Sequence, residues 1–114
     1  MAQPVAGALR VSNNVIADLA GYAALECYGV VGMAYTDAQG SVVRLLTLGS
    51  LRKGIDVTSE GGRVKVDLHV VLEQGVNMAS VSANLESTVR FTLKEVAEID
   101  SVDVTVHVED LRTH

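Results

Sequence analysis

Two stretches of this sequence alternate strictly between apolar and polar residues. Between Arg63 and Glu73 every second residue is valine or leucine, and between Val102 and Glu109 every second residue is valine. Because successive side chains of a strand point to opposite faces, this spacing predicts strands with one dry face and one face in water. A shift of register by one residue would bury several charges, so the pattern also fixes which face is which.

Two amphipathic helices are predicted beside these strands. The apolar spacing predicts one helix over Asn14–Tyr28, which ends at Gly29, and a second that starts at Met78 after the cap residue Asn77 and runs to about Glu98. Each helix has one apolar stripe. The stripe of the first helix comprises Val15, Ile16, Leu19, Ala20, Ala23, Ala24 and Cys27, and that of the second comprises Met78, Val81, Leu85, Val89, Thr92, Leu93 and Val96.

Shorter segments complete the prediction. Leu9–Val11 and Val30–Tyr35 are predicted strands, and Ile55–Thr58 forms a hairpin with the strand that starts at Arg63, through a turn at Gly61 and Gly62. Residues 41–48 fit either a short helix or a buried strand. Residues 1–7 are expected to be a flexible leader and residues 8–114 a single domain. The predicted fold class is α+β: a two-layer α/β sandwich with a mixed sheet of four to five strands and both helices on one face, in the order β-α-β-β-β-α-β.

Composition excludes several classes of protein. The net charge is −5 and the pI is about 5.0, which argues against DNA binding and general RNA binding, since both depend on Lys and Arg. No apolar run approaches the ~18 residues of a membrane span. The single cysteine, Cys27, cannot form an internal disulfide. No residue pattern calls for a cofactor.

The histidines are the first candidates for chemistry. His69 and His107 lie on the water-facing side of the two alternating strands, with Asp67, Asp103 and Glu109 nearby in sequence. If these strands adjoin, two histidines and one carboxylate could form a metal site. The alternative, which the absence of a helical His-Glu-X-X-His motif favours, is an ordinary polar sheet face without metal.

Catalytic and nucleic-acid motifs are weak. Cys27 lies on the apolar stripe of the first helix, near the helix C-terminus, where the dipole disfavours a thiolate, and no serine lies in a nucleophile elbow. We therefore expect no catalytic residues and no enzyme activity.

Gly29-Val30-Val31-Gly32 matches the Gly-X-X-Gly pattern of KH domains, so a KH-like RNA-binding module that uses the Gly29–Gly32 turn is the alternative function. Its middle residues are valines, and a strand is predicted to follow.

Several segments, in order along the chain, resemble the alkaline shock protein family. These segments are residues 11–16, 20–24, 28–33, 53–57, 66–72, 74–77 and 102–106. Members of this family are envelope-stress and general-stress proteins found mainly in Gram-positive bacteria. The resemblance implies a non-enzymatic, cytoplasmic protein that is held at the membrane by a partner, such as a small membrane-anchor protein, rather than by a span of its own.

The resemblance supplies no catalytic residues, so the expected role is a protein-interaction or scaffold module that also self-associates as a homo-oligomer. Physically, the water-facing side of the sheet and any unpaired edge strand are the expected contact surfaces. The residues predicted to form the interaction face are Lys65, Asp67, His69, Asp103, Thr105 and His107.

Overall fold

The computed structural model describes residues 12–36, 43–46 and 48–113 of the chain. The predicted leader at residues 1–7 and the predicted strand Leu9–Val11 lie outside these ranges. The elements in chain order are α1 (Asn13–Leu25), β1 (Val30–Thr36), β2 (Val43–Leu45), a 3-10 helix (Leu48–Gly54), β3 (Ile55–Glu60), β4 (Arg63–Glu73), α2 (Met78–Val96) and β5 (Val102–Arg112).

Strand β4 is the centre of a five-stranded sheet. One edge of β4 is shared by two antiparallel strands, because β1 pairs with its C-terminal part and β3 with its N-terminal part. The other edge pairs with β5 in parallel over its whole length. Strand β2 extends the sheet beyond β1. The mixed sheet predicted from the sequence is therefore confirmed.

The two helices pack on the same side of this sheet. Their apolar residues join the alternate valines and leucines of β4 and β5 in one buried core, whose fully buried members include Ile16, Leu68, Leu85 and Leu93. The two-layer α+β arrangement is confirmed. We call the opposite side of β3, β4 and β5 the polar face.

Helix α1 begins as predicted but ends earlier than the sequence indicates. The Ser12 side chain accepts a hydrogen bond from the backbone N–H of Val15 at 3.1 Å, which caps the helix. The helix ends at Leu25, because the next backbone N–H groups donate to carbonyls three residues back instead of four. Cys27 stays buried beyond the helix end, so the apolar spacing conceals where the helix stops.

The apolar stripes are also narrower than predicted. In α2 the four central positions Val81, Leu85, Val89 and Leu93 are buried, whereas Met78 and Val96 are 43 % and 62 % exposed at the two helix ends. In α1, Val15 is 46 % exposed. It lies nine residues from the fully buried Ala24, a rotation of half a turn at about 100° per residue, and so points away from the core.

The hairpin and the ambiguous segment are now defined. Gly61 and Gly62 have positive φ and connect β3 to β4, as predicted. Within residues 41–48, Val43–Leu45 is a strand and Leu48 starts the 3-10 helix, so the strand alternative is correct for the described centre of this segment.

The polar face is not uniformly open. Arg63 and Lys65 are exposed and His69 is half-buried. Val71 lies on the same side of β4 as these three residues, yet it is completely buried. It is not part of the main core cluster. The face thus closes towards the C-terminal end of β4, where Gly32 of β1 lies opposite Val71.

Candidate functional site

The six residues predicted for the interaction face lie side by side on β4 and β5. The parallel register places Lys65 opposite Asp103, Asp67 opposite Thr105, and His69 opposite His107. The sequence patterns could not show that these two strands adjoin. The structure brings all six residues together as three consecutive cross-strand pairs.

The two histidine rings are stacked at the centre of this face. Their centroids are 4.7 Å apart and their planes differ by 14°. The stack follows from the register, because His69 and His107 are direct cross-strand neighbours in adjacent strands. It fixes both rings in one orientation at the middle of the sheet.

Carboxylates surround the stacked rings. Nδ1 of His69 lies 2.6 Å from Glu109 Oε2, and its Nε2 lies 3.2 Å from Asp56 Oδ2. Nε2 of His107 lies 3.0 Å from Asp67 Oδ1. A protonated imidazole donates to carboxylates from both nitrogens, so this arrangement suits the charged form of His69. It links β3, β4 and β5 through side chains alone.

Asp56, Glu109 and Arg63 were not among the six predicted face residues. Asp56 lies in the first strand of the hairpin, and its contact with His69 depends on β3 lying beside β4. The alternation of β3 and the Gly61-Gly62 turn could have indicated this pairing. Arg63 donates to Asp103 across the strands at 2.6 Å, with 58 % and 48 % of the two side chains exposed. Such an exposed pair adds little stability.

The charge of the polar face is strongly negative. With the histidines neutral, its acids outnumber its bases by four, and the whole chain has a net charge of −5. The acids are Asp56, Glu60, Asp67, Glu73, Asp103 and Glu109, and the bases are Arg63 and Lys65. Arg112 and Asp110, at the end of β5, bond to each other and cancel.

The stacked histidines do not converge on a common point. Within residues 12–36, 43–46 and 48–113, no group of three or more His, Cys, Asp or Glu side chains is arranged to hold a metal ion. The rings are nearly parallel and three of their nitrogens face carboxylates. The contacts of this cluster are those of a hydrogen-bonded network between strands.

The remaining sequence candidates have structural roles. Cys27 is a buried core residue whose thiol lies 3.5 Å from the backbone carbonyl of Ala23. Gly29 has a φ of +86°, lies four residues beyond the end of α1 and immediately precedes β1. Residues 30–32 of the Gly29–Gly32 segment are the start of a strand, whereas the corresponding loop of a KH domain joins two helices.

A shallow cavity lies on the helical side of the molecule. Its volume is about 260 Å³, and it is lined by Tyr28, Asn77, Ser80, Val81 and Asn84. These side chains include no carboxylate, histidine or thiol, so the lining holds neither an acid–base pair nor a nucleophilic thiol. The polar face remains the site with the most organised chemistry.

Comparison with known proteins identifies the family of this chain. The model of the alkaline shock protein 23 family, described as having a cell envelope-related function, matches residues 2–113. The chain belongs to the alkaline shock protein 23 family. The family resemblance seen in the sequence is confirmed, and with it the link to the cell envelope.

Relatives of this member of the alkaline shock protein 23 family come from Bacillus and Streptococcus. YloU of Bacillus subtilis strain 168 is 29 % identical over 107 residues, which cover 93 % of this chain and 89 % of YloU. Spy1614 of Streptococcus pyogenes serotype M6 is 33 % identical over 107 residues, with coverage of 93 % and 88 %. A stress response regulator gls24 homolog of S. pyogenes serotype M3 is 26 % identical over 109 residues, covering 96 % of this chain and 61 % of the relative.

Neither the family description nor the name of the Gls24-type relative refers to a catalytic activity. No solved structure matches the chain. Among the helices of the described ranges, none is both long enough and apolar enough to cross a membrane.

The stability that His69 contributes to this alkaline shock family protein should decline as the pH rises. Burial lowers the pKa of His69, but the hydrogen bonds to Glu109 and Asp56 outweigh it and hold this pKa above its ordinary value of 6.5. A raised pKa in the folded state gives a contribution that is complete below pH 6.5 and is lost as the pH rises through the folded pKa. The stacked His107 ring and its partner Asp67 complete the surroundings of His69.

Urea unfolding of the wild type and of His69→Gln between about pH 5 and about pH 9 measures this effect. The difference in unfolding free energy between the two proteins should shrink as the pH rises. An NMR titration should place the pKa of His69 above 6.5. A pKa at or below that value, or a difference that does not change with pH, would show that the carboxylates do not favour the charged ring.

Proposed function

We propose that this chain is a non-enzymatic protein-interaction module of the envelope stress response, which acts as a scaffold on the cytoplasmic side of the membrane. The polar face is its docking surface, and the partner is a protein such as a small membrane anchor. The observation that carries this proposal is the excess of carboxylates on a face where cross-strand hydrogen bonds already hold the central side chains.

The charge of the face defines the chemistry of the partner. A surface with six carboxylates and two bases complements a segment rich in Lys and Arg. The cytoplasmic ends of membrane spans carry such segments, because positive residues stay on the inner side. A basic flank of a small membrane protein is therefore the occupant that we expect on the polar face.

The same charge argues for attachment through a protein. The inner leaflet of the membrane is negatively charged and attracts basic surfaces. The polar face, with its excess of carboxylates, would be repelled by anionic lipid headgroups. A membrane-anchored partner resolves this conflict, since its basic segment binds the polar face while its span lies in the bilayer.

The hydrogen bonds within the face lower the cost of binding. Only 24 % of the Glu109 side chain and 33 % of the Asp67 side chain are exposed, and both bond to histidines. Side chains that are already ordered lose little conformational entropy when a partner binds. The two carboxylates would thus be presented in a fixed geometry.

Charge reversal at the exposed edge of the face should weaken membrane association. Asp56 is 71 % exposed and lies on β3, so Asp56→Lys changes the face without touching the core. We expect about a tenfold loss of the protein from the membrane fraction, through electrostatic repulsion of a basic partner. Glu95→Lys makes the same charge change at an exposed position of α2, on the helical side, and should have no effect.

A photo-crosslinking residue identifies the occupant directly. Placed at the exposed Lys65 of the polar face, which lies on β4 and not on the edge strand β5, it should capture a membrane-anchored protein with a basic cytoplasmic segment. Placed at the exposed Ser87 of α2, it should not. Equal losses from both charge reversals, or capture from Ser87 alone, would place the partner elsewhere and refute the proposal.

A further inference from the structure

The outer edge of β5 is the longest edge of the sheet that lacks a neighbour in the described part of the chain. β5 has 11 residues and pairs only with β4 among the described strands. It contains no proline, and its register with β4 is regular from Val102 to Val108. Long regular edges present unpaired N–H and C=O groups and are normally protected in monomeric proteins. From Val102 to Val108, neither a proline nor a bulge protects this edge.

The backbone hydrogen bonds between β4 and β5 show which residues of β5 direct their N–H and C=O groups to the outer edge. The backbone N–H of Val64 donates to the carbonyl of Ser101 at 2.9 Å. In a parallel ladder alternate residues direct both backbone groups to the same neighbour. The odd-numbered residues 101–107 therefore bond to β4, and the N–H and C=O groups of the four valines between 102 and 108 point to the outer edge.

We infer that a second copy of this chain pairs with β5 in antiparallel orientation, with Thr105 on the two-fold axis. In this register Val104 faces Val106 of the other copy, and Val102 faces its Val108. These are the outward-facing residues, so they form the hydrogen-bonded pairs. The inference rests on the fold alone and stands whether or not the proposed function holds.

The polar face favours the same register. With the axis at Thr105, Asp103 of each copy lies opposite His107 of the other, and the two threonines face each other. Paired threonines and paired β-branched residues are favourable across antiparallel strands, and Asp103 meets a histidine and not a second carboxylate. Every residue from Val102 to Val108 would then have a compatible neighbour.

Neighbouring registers are poorer. An axis at Val106 places Asp103 opposite Glu109 twice, which brings like charges together. An axis at Val104 leaves Val108 opposite Asp100. These mismatches favour the Thr105 axis over the axes at Val104 and Val106.

Burial along β5 agrees with a second copy at this edge. Val102 and Val104 are each 7 % exposed, whereas Val106 and Val108 are only partly buried. Pairing at Thr105 places a buried-side valine of the other copy beside each of these partly exposed valines. It also joins the two polar faces into one surface, which would allow two basic segments to be bound together.

Cysteine scanning tests the register. In the Thr105 pairing the two Thr105 Cα atoms form a non-hydrogen-bonded pair about 4.5 Å apart, within the disulfide range. The two Asp103 Cα atoms are roughly 14 Å apart, four residues along the strand. Both side chains are exposed, so Thr105→Cys and Asp103→Cys should leave the fold intact. A Cys27→Ala background removes the native thiol.

Under oxidation, Thr105→Cys should form a disulfide-linked dimer at least about tenfold faster than Asp103→Cys. Sedimentation of the wild type over a concentration series should show a monomer–dimer equilibrium. Val106→Pro, which removes an outward N–H that β4 does not use, should weaken the dimer about tenfold. Equal cross-linking of the two cysteine variants, or a wild type that stays monomeric while Thr105→Cys fails to cross-link, would overturn the inference.

Discussion

Leu85→Ala is expected to lower the free energy of unfolding by about 2–5 kcal/mol. Leu85 is 0 % exposed at the centre of α2 and belongs to the core cluster formed with β4 and β5. Removal of its side chain loses the transfer free energy of the buried atoms and leaves a cavity that the close-packed core fills only in part. Since domains of this size are stable by about 5–15 kcal/mol, the loss is a large fraction of the total. Urea unfolding followed by circular dichroism measures it.

Val96→Ala in the same helix is the matched control. The sequence spacing places Val96 on the same apolar stripe as Leu85, but its side chain is 62 % exposed at the helix end. Alanine is also the better helix former. We therefore expect a change within about 0.5 kcal/mol. A loss from Val96→Ala as large as that from Leu85→Ala would mean that the helix end is packed against the core.

The difference between these two positions shows what the sequence could predict. The spacing of apolar residues gives the direction of a side chain around a helix axis, so Leu85 and Val96 have the same status in the sequence. It does not show how far the underlying sheet extends beneath the helix. The ends of α2 are therefore where the predicted stripe is wrong.

The strands show the same limit. The alternation in β4 and β5 correctly predicts that Leu68 is buried and that Lys65 is exposed, because a period of two is a local property of the backbone. The parallel pairing of the two strands joins residues about 40 positions apart and depends on the whole fold. For this reason the stacked pair of His69 and His107 could be named as two separate candidates but could not be assembled.

Val71 is the counterexample within β4. It lies on the same side of β4 as Lys65 and His69, although it is apolar. Val71 is buried between its two neighbouring strands. Gly32 of β1 lies opposite it on one side, and on the other side the register of β5 shifts between Val70 and Val71. The sign of this burial in the sequence is the apolar run over residues 70–72, but that run does not show which neighbours cover Val71. Those neighbours determine where the polar face ends.

Gly29→Ala should destabilise the protein by about 2–4 kcal/mol. Gly29 has a φ of +86°, in the left-handed region that costs other residues about 1–2 kcal/mol. A Cβ at this position would also lie 2.8 Å from Cγ2 of Val81. Val81 is buried and β-branched, so its side chain cannot easily rotate away. The turn between α1 and β1 would have to shift against α2, which thermal and urea unfolding will detect.

Gly75→Ala separates the two causes of this loss. Gly75 has a similar φ of +97°, but no atom lies within 4 Å of the position that a Cβ would occupy. The alanine there bears only the backbone strain, part of which is offset because alanine restricts the unfolded chain. We expect a loss of about 1 kcal/mol for Gly75→Ala. If the two variants lose equal stability, the contact with Val81 contributes nothing, and the tight junction between α1 and α2 at Gly29 is not a determinant of the fold.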